Sequence, residues 1–270
     1  MKRISIFFLS LIMIFGLFPQ VSAQESDKMN FLFLGTDSGY LPDRPAEISP
    51  SRSDAIVIVT LDKKNKQVTV SSMPRDTLLE IPGYGGEKAT HAFAYGGVDL
   101  TKQSLEAMLD IKFDKYVVAN MGGFVNIIDL LKGITVIPPM SFSHAGFTFV
   151  EGQSQHIDGA QALSYARERY TSGGDYARQM RMREMVAVIL KMAIDSGDIE
   201  AYRPLFEQRG ELVDTDFTFD EVVELYEEYG NDDLVFKDFG LLGSSYNDPA
   251  AGYVEIPDPD SFEEFLSILQ

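Results

Sequence analysis

Residues 51–77, SRSDAIVIVTLDKKNKQVTVSSMPRDT, constrain the fold more than any other stretch. Residues 55–61 are an apolar, β-branched run, 62–66 a polar turn and 67–72 a second alternating run, which together specify an antiparallel β-hairpin. A hairpin centred near Lys64 brings residue 54 opposite residue 75. Arg52 and Asp54, two apart at the start of the first strand, share a face. Pro74, Arg75 and Asp76 lie beside them at the end of the returning strand. Two arginines and two carboxylates thus meet at one edge of a buried sheet. Such a group is either a satisfied structural ion-pair network or a site that handles charge, and the hairpin alone leaves both readings open.

The flanking segments supply the layers. Residues 30–35 (NFLFLG) read as a short buried strand, ended by Gly35 and followed by Asp37. Residues 38–50 form a loop with three prolines that returns the chain to Asp54. Asp37 and Asp54 can therefore converge, and two oxygen-donor carboxylates suit a hard cation such as Mg²⁺. Asp37 taken alone is more often a loop-capping residue. Residues 81–97 are a glycine-rich loop carrying Lys88, without the GxxxxGK[ST] pattern of a nucleotide-hydrolysing phosphate loop. Gly96-Gly97 then opens a helix over 98–109, and Gly122-Gly123 opens another to about residue 131. Strands over 116–119 and 133–137 alternate with these helices, which indicates an α/β layered domain rather than a bundle or sandwich. Residues 141–155 read as an irregular loop or hairpin without legible chemistry.

A second charged stretch follows a short helix over 157–165, for which Asp158 is the N-cap. Residues 167–183 (RERYTSGGDYARQMRMR) hold five of the chain's eleven arginines. Arg167 and Arg169 alternate as on an extended segment. Asp175 caps the next helix, placing Arg178 and Arg181 three apart on one face of its first turn. Met182, Met185, Val186, Ile189 and Ala193 form that helix's core stripe. Basic residues in a first turn oppose the helix dipole, so helix stability does not explain them, whereas a bound anion does. Clustered arginines suit bidentate recognition of phosphate or carboxylate; the competing reading is a solvated basic face or internal salt bridges. Residues 195–270 are acidic, with helices over 220–229 and 261–269 and a strand over 234–242, and complete the core without a catalytic motif.

Composition narrows the class. A net charge of −18 argues against nucleic-acid binding. The absence of cysteine excludes disulfides, thiolate metal sites and a cysteine-linked lipid anchor. His91, His144 and His156 show no metal-ligand spacing. Lys2 and Arg3 precede a fifteen-residue apolar run over 4–18, and Val21-Ser22-Ala23 offers small residues for cleavage. Residues 1–23 are therefore a signal peptide or an N-terminal membrane anchor, and residues 24–270, as a single domain, lie outside the cytoplasm.

The ordered set of residues 30–37, SRSDAIVIVTLD, SSMPRDT, KATHAFAYGG, YARER and DYARQMR resembles the LytR–CpsA–Psr (LCP) family over residues 30–193, with a looser likeness beyond. Met182 and Lys132 depart from the family's usual glutamine and glycine. The resemblance implies a mixed central β-sheet flanked by helices, with a hydrophobic lipid-binding pocket. It implies an extracytoplasmic phosphotransferase that moves a glycopolymer from a polyprenyl-pyrophosphate carrier to peptidoglycan at the membrane surface. It places Mg²⁺ on Asp37 and Asp54, and the pyrophosphate on Arg52, Arg75, Arg167, Arg169 and Arg178, with Lys88 and Arg181 as further contacts. Either Asp54 or Asp76 would deprotonate the acceptor hydroxyl. The competing functions are a polyprenyl-pyrophosphate hydrolase and a non-catalytic carrier. The family's older label, transcriptional attenuator, conflicts with export and acidic charge.

Overall fold

The computed structural model describes residues 27–38, 51–171, 173–207, 210, 213–230 and 233–270. The expected export segment and most of the proline-bearing loop fall outside the described residues. The strands are β1 (Lys28–Thr36), β2 (Ser53–Asp62), β3 (Gln67–Ser72), β4 (Leu78–Ile81), β5 (Gly85–Lys88), β6 (Lys115–Ala119), β7 (Ile134–Val136), β8 (Phe142–His144), β9 (Phe147–Phe149), β10 (Gln155–Ile157), β11 (Val213–Thr215), β12 (Val235–Gly240), β13 (Gly243–Asp248) and β14 (Gly252–Pro257). The helices are α1 (Ala89–Leu109), α2 (Met121–Leu130), α3 (Gly159–Arg167), α4 (Gly174–Asp195), α5 (Arg203–Glu207), α6 (Phe219–Tyr229) and α7 (Pro259–Leu269).

Six strands form the central sheet in the order β11-β6-β1-β2-β3-β12. The β1–β2, β2–β3 and β6–β11 pairs are antiparallel; β1–β6 and β3–β12 are parallel. The sheet is thus mixed and flanked by helices, as the resemblance implies. Pairing of Asp62 with Gln67 and of Val57 with Ser72 is the predicted register, which continued past the end of β3 sets residue 54 opposite residue 75. Asp62 fixes the turn, accepting from Asn65 N at 2.9 Å and Asn65 Nδ2 at 2.8 Å.

Alternation along β1 and β2 feeds two cores, because successive strand residues point to opposite faces. Leu32, Leu34, Ile56 and Ile58 pack in one core with Leu105 and Leu109 of α1 and Phe265 and Leu269 of α7. Phe31, Val57 and Val59 pack on the other face, against Val186 and Leu190 of α4 and Val222 of α6. The carbonyls at the end of α7 have no helical partner. Lys28 Nζ reaches Ser267 O at 2.7 Å and Ile268 O at 2.9 Å, and Asn30 Nδ2 reaches Leu269 O at 3.0 Å. A third core joins α2, α3, α4 and the short strands β7–β10 around Ile128, Phe149 and Tyr165.

Three local expectations change. Helix α1 begins at Ala89 and is kinked at Gly96 and Gly97, where Gly97 has φ +63°; the glycine pair breaks a helix that has already started, since Ala89 and Ala92 are fully buried. Much of the expected glycine-rich loop is the β4–β5 hairpin. Helix α4 begins at Gly174, with Gly173 at φ +93° as its N-cap. Asp175 therefore sits in the first turn, and Arg178 falls in the second rather than the first. Asp158 does cap α3, through a reciprocal capping box with Gln161.

Candidate active site

The ends of β1, β2 and β3, the exit of α3 and one stripe of α4 converge on a cavity of about 620 Å³. Register brings the strand ends together: Thr36 pairs with Ser53, and Asp37 N donates to Arg52 O at 3.0 Å. Asp37 is buried, and its Oδ1 accepts from Arg52 N at 2.7 Å. Its Oδ2 accepts from Arg52 Nε at 3.3 Å and Nη2 at 3.2 Å. Arg75 Nη1 donates to Asp54 Oδ1 at 2.7 Å, while Asp54 Oδ2 has no hydrogen-bond partner among the described residues. Burial acts to lower the pKa of the Arg75 guanidinium, but the carboxylates of Asp54, Asp76 and Asp175 outweigh it and raise the pKa above its ordinary value.

Arg178, itself buried, is aimed by two elements. Asp175 Oδ1 accepts from its Nε at 2.8 Å, and the Asp54 carbonyl accepts from its Nη1 at 3.0 Å. Gln179 holds Asp175 in turn, through Nε2 to Oδ2 at 3.0 Å, and accepts from Ser72 Oγ at 3.2 Å. Ser72 also accepts from Arg183 Nη1 at 2.7 Å, and Arg183 clasps Asp238 of β12 at 2.6 and 3.0 Å. Arg178 therefore rests on a polar network that spans β2, β3, α4 and β12. Two buried donors, Arg75 Nε and Arg178 Nη2, make no hydrogen bond, although each lies near a carboxylate.

Of the residues singled out in the sequence, Asp37, Arg52, Asp54, Arg75, Arg167, Arg169 and Arg178 all line this cavity. Five arginines against two aspartates make its mouth positive in an otherwise acidic chain. Asp76 and Lys88 pair with each other at 3.0 Å outside the lining. Arg181 is fully buried and does not reach the cavity. Its Nε donates to Tyr165 O at 2.8 Å, its Nη2 bonds the Glu168 carbonyl, and its guanidinium lies over the Phe142 ring. Arg181 thus fixes the backbone between Arg167 and Arg169 from behind.

Further along the sheet and α4 the lining is apolar. Phe33, Val57 and Val117 of the sheet face Met182, Val186 and Ile189 of α4. Of the α4 stripe expected in the core, Met182, Val186 and Ile189 line this space on the same helix side as Arg178, whereas Met185 is buried in the third core as expected. Periodicity identifies such a face but not what lies opposite it. The sequence reading also missed His144, on the β8–β9 hairpin, and Tyr170, next to Arg169; both line the cavity. The Arg169 hydrogen bond, at 3.1 Å, and positive charge lower the Tyr170 hydroxyl below its ordinary range.

The arrangement can hold an elongated amphiphile with an anionic group at the mouth. Its donor set suits magnesium, which binds through one or two carboxylates and takes its other oxygens from water and phosphate. Asp37 and Asp54 both line the cavity, and among the described residues no group of three or more acidic, histidine or cysteine ligands forms, so any metal here would rest on these two carboxylates.

Comparisons with known proteins identify the family. A profile of the LytR_cpsA_psr family matches residues 16–243. The polyisoprenyl-teichoic acid–peptidoglycan teichoic acid transferase TagU of Enterococcus faecalis is 30% identical over 243 residues, covering 89% of this chain and 78% of that protein. The protein of the same name from Halalkalibacterium halodurans is 36% identical over 211 residues, covering 77% and 67%. The solved structure of TagT bound to LIIa-WTA superimposes with a TM-score of 0.72 at 28% identity, covering 91% of this chain and 90% of that one. The chain belongs to the LytR_cpsA_psr family.

Proposed function

We propose that this protein is an extracytoplasmic, Mg²⁺-dependent phosphotransferase that moves a glycopolymer from a polyprenyl-pyrophosphate carrier onto peptidoglycan. The observation that carries this reading is the continuity of one cavity, lined by five arginines and, further along the sheet and α4, by hydrocarbon side chains. A polyprenyl pyrophosphate has the same two-part chemistry. Relatives named as teichoic acid transferases supply the reaction class. The apolar N-terminal segment supports placement outside the cytoplasm, at the membrane surface.

In this reading the isoprenoid lies between the sheet and α4, and the pyrophosphate meets Arg52, Arg75, Arg167, Arg169 and Arg178. The acceptor hydroxyl oxygen forms a bond to the phosphorus that carries the glycan. The bond from that phosphorus to the bridging oxygen breaks, and polyprenyl phosphate leaves. Phosphoryl transfer depends mainly on positioning and on neutralising charge at the phosphate oxygens, and the arginine fork geometry supplies both. Asp37 and Asp54 would hold magnesium, which adds charge neutralisation at the pyrophosphate. Of the two candidate bases, Asp54 lines the cavity and has a free oxygen, whereas Asp76 is held by Lys88. The hydroxyl proton passes to one of these two carboxylates, of which Asp54 alone lines the cavity. Arg75→Ala and Asp54→Ala should each lower transfer from a lipid-linked glycan by about a hundredfold or more while circular dichroism stays native. Full transfer by both variants would overturn the reading.

A further inference from the structure

Outside the cavity, a second group of side chains adjoins Asp76. Strand β14 is tied to this segment, since Glu255 N donates to Asp76 O at 2.8 Å and Thr77 bridges to Glu255. Pairing of Ser245 with Glu255 and of Asn247 with Tyr253 sets Ser245, Tyr253 and Glu255 on one face of the β13–β14 hairpin. Tyr253 Oη lies 2.9 Å from Ser245 Oγ and donates to Glu255 Oε1 at 2.9 Å. Tyr176 Oη donates to Glu255 Oε2 at 3.1 Å. Lys88 Nζ lies 5.3 Å from the centre of the Tyr253 ring and 3.0 Å from Asp76 Oδ1. Contacts thus run from Arg75, at the cavity mouth, through Asp76 and Lys88 to Tyr253.

Tyr253 is 50% exposed as a residue, yet its hydroxyl is fixed at both sides. A rigid, half-open aromatic face beside a carboxylate and an ammonium matches the chemistry of a sugar ring. The C–H face of a pyranose is apolar and weakly electropositive and stacks on an electron-rich ring, while its hydroxyls pair with charged groups. We propose that Tyr253, with Ser245, Glu255 and Lys88, forms a saccharide subsite next to the phosphate site. The proposal rests on the transferase reading for its substrates. The glycan of the lipid-linked donor and the glycan strand of the acceptor share this chemistry.

The test compares the full-length protein with Tyr253→Ala and Tyr253→Phe. Saturation-transfer NMR reads binding of two lipid-free probes, a soluble peptidoglycan glycan-strand fragment and the glycan released from the donor. Tyr253→Ala should weaken one probe by about fivefold, the size of one aromatic contact, and Tyr253→Phe by less than about twofold. In turnover, the KM of the matching substrate should rise with kcat nearly unchanged: acceptor KM identifies the acceptor strand, donor KM the donor glycan. Wild-type binding of both probes by Tyr253→Ala, or equal loss in Tyr253→Phe, would overturn the subsite. If the wild-type protein gives no product on any donor, the transferase reading fails, and the binding comparison still decides the subsite.

Discussion

Arg75 and Asp54, twenty-one residues apart in sequence, meet at 2.7 Å because the β2–β3 hairpin sets them opposite each other. The pair is part-buried, at 21% and 28% side-chain exposure, so removing either partner leaves the other charge poorly solvated. Arg75→Ala should lower kcat/KM for transfer by about 10²–10³, as loss of one transition-state donor does. Arg75→Lys should not restore it, because an ammonium lacks the planar fork. Steady-state kinetics on both variants checks this.

The apolar half of the cavity predicts a dependence on chain length. Val186→Trp would fill space behind the arginines without touching them. Affinity for a long polyprenyl pyrophosphate should fall by about tenfold or more, while that for a short isoprenyl pyrophosphate changes by less than about twofold. Competition binding with the two lipids reads the difference.

The network behind Arg178 predicts a split between stability and catalysis. Arg183 is buried and bonds Ser72 and Asp238, but Asp238 is 58% exposed on its side chain. Arg183→Met should cost about 1–3 kcal/mol by freeing Ser72 and unpinning β12, and Asp238→Asn less than about 1 kcal/mol because solvent screens that end. Denaturant titration measures both.

The charged strand edge is legible in the sequence for a physical reason. Hairpin register follows from turn position, so a turn near Lys64 dictates that residues 54 and 75 meet. The role of Arg181 is not legible in the same way, because helical spacing relates it to Arg178 but does not reveal the Phe142 and Tyr165 rings that enclose it. His144 reaches the cavity on a three-residue strand too short to show periodicity. Asp238 carries no signal either, since its partner lies fifty-five residues away.

Acid stability has a local marker. Glu221, the capping-box acid of α6, is held down to about 2, first by the Lys115 hydrogen bond at 2.6 Å and then by the Thr218 backbone. A depressed folded-state pKa stabilises the fold above the ordinary value of 4.5, and that contribution is lost as pH falls from there towards about 2. Glu221→Gln should flatten the melting-temperature profile over this window and leave relative stability above about pH 6 nearly independent of pH. Thermal melts across the acid range test the slope.

The central claim is tested most directly by identifying the product. The purified full-length protein is incubated with a polyprenyl-pyrophosphate-linked glycan, Mg²⁺ and peptidoglycan fragments, and the mixture is analysed by mass spectrometry. A phosphodiester-linked glycan–peptidoglycan conjugate should form with equimolar polyprenyl phosphate, both lost with EDTA and reduced by about a hundredfold or more in Arg75→Ala. Intact lipid bound without turnover, or polyprenyl phosphate released with no conjugate at saturating acceptor, would contradict it.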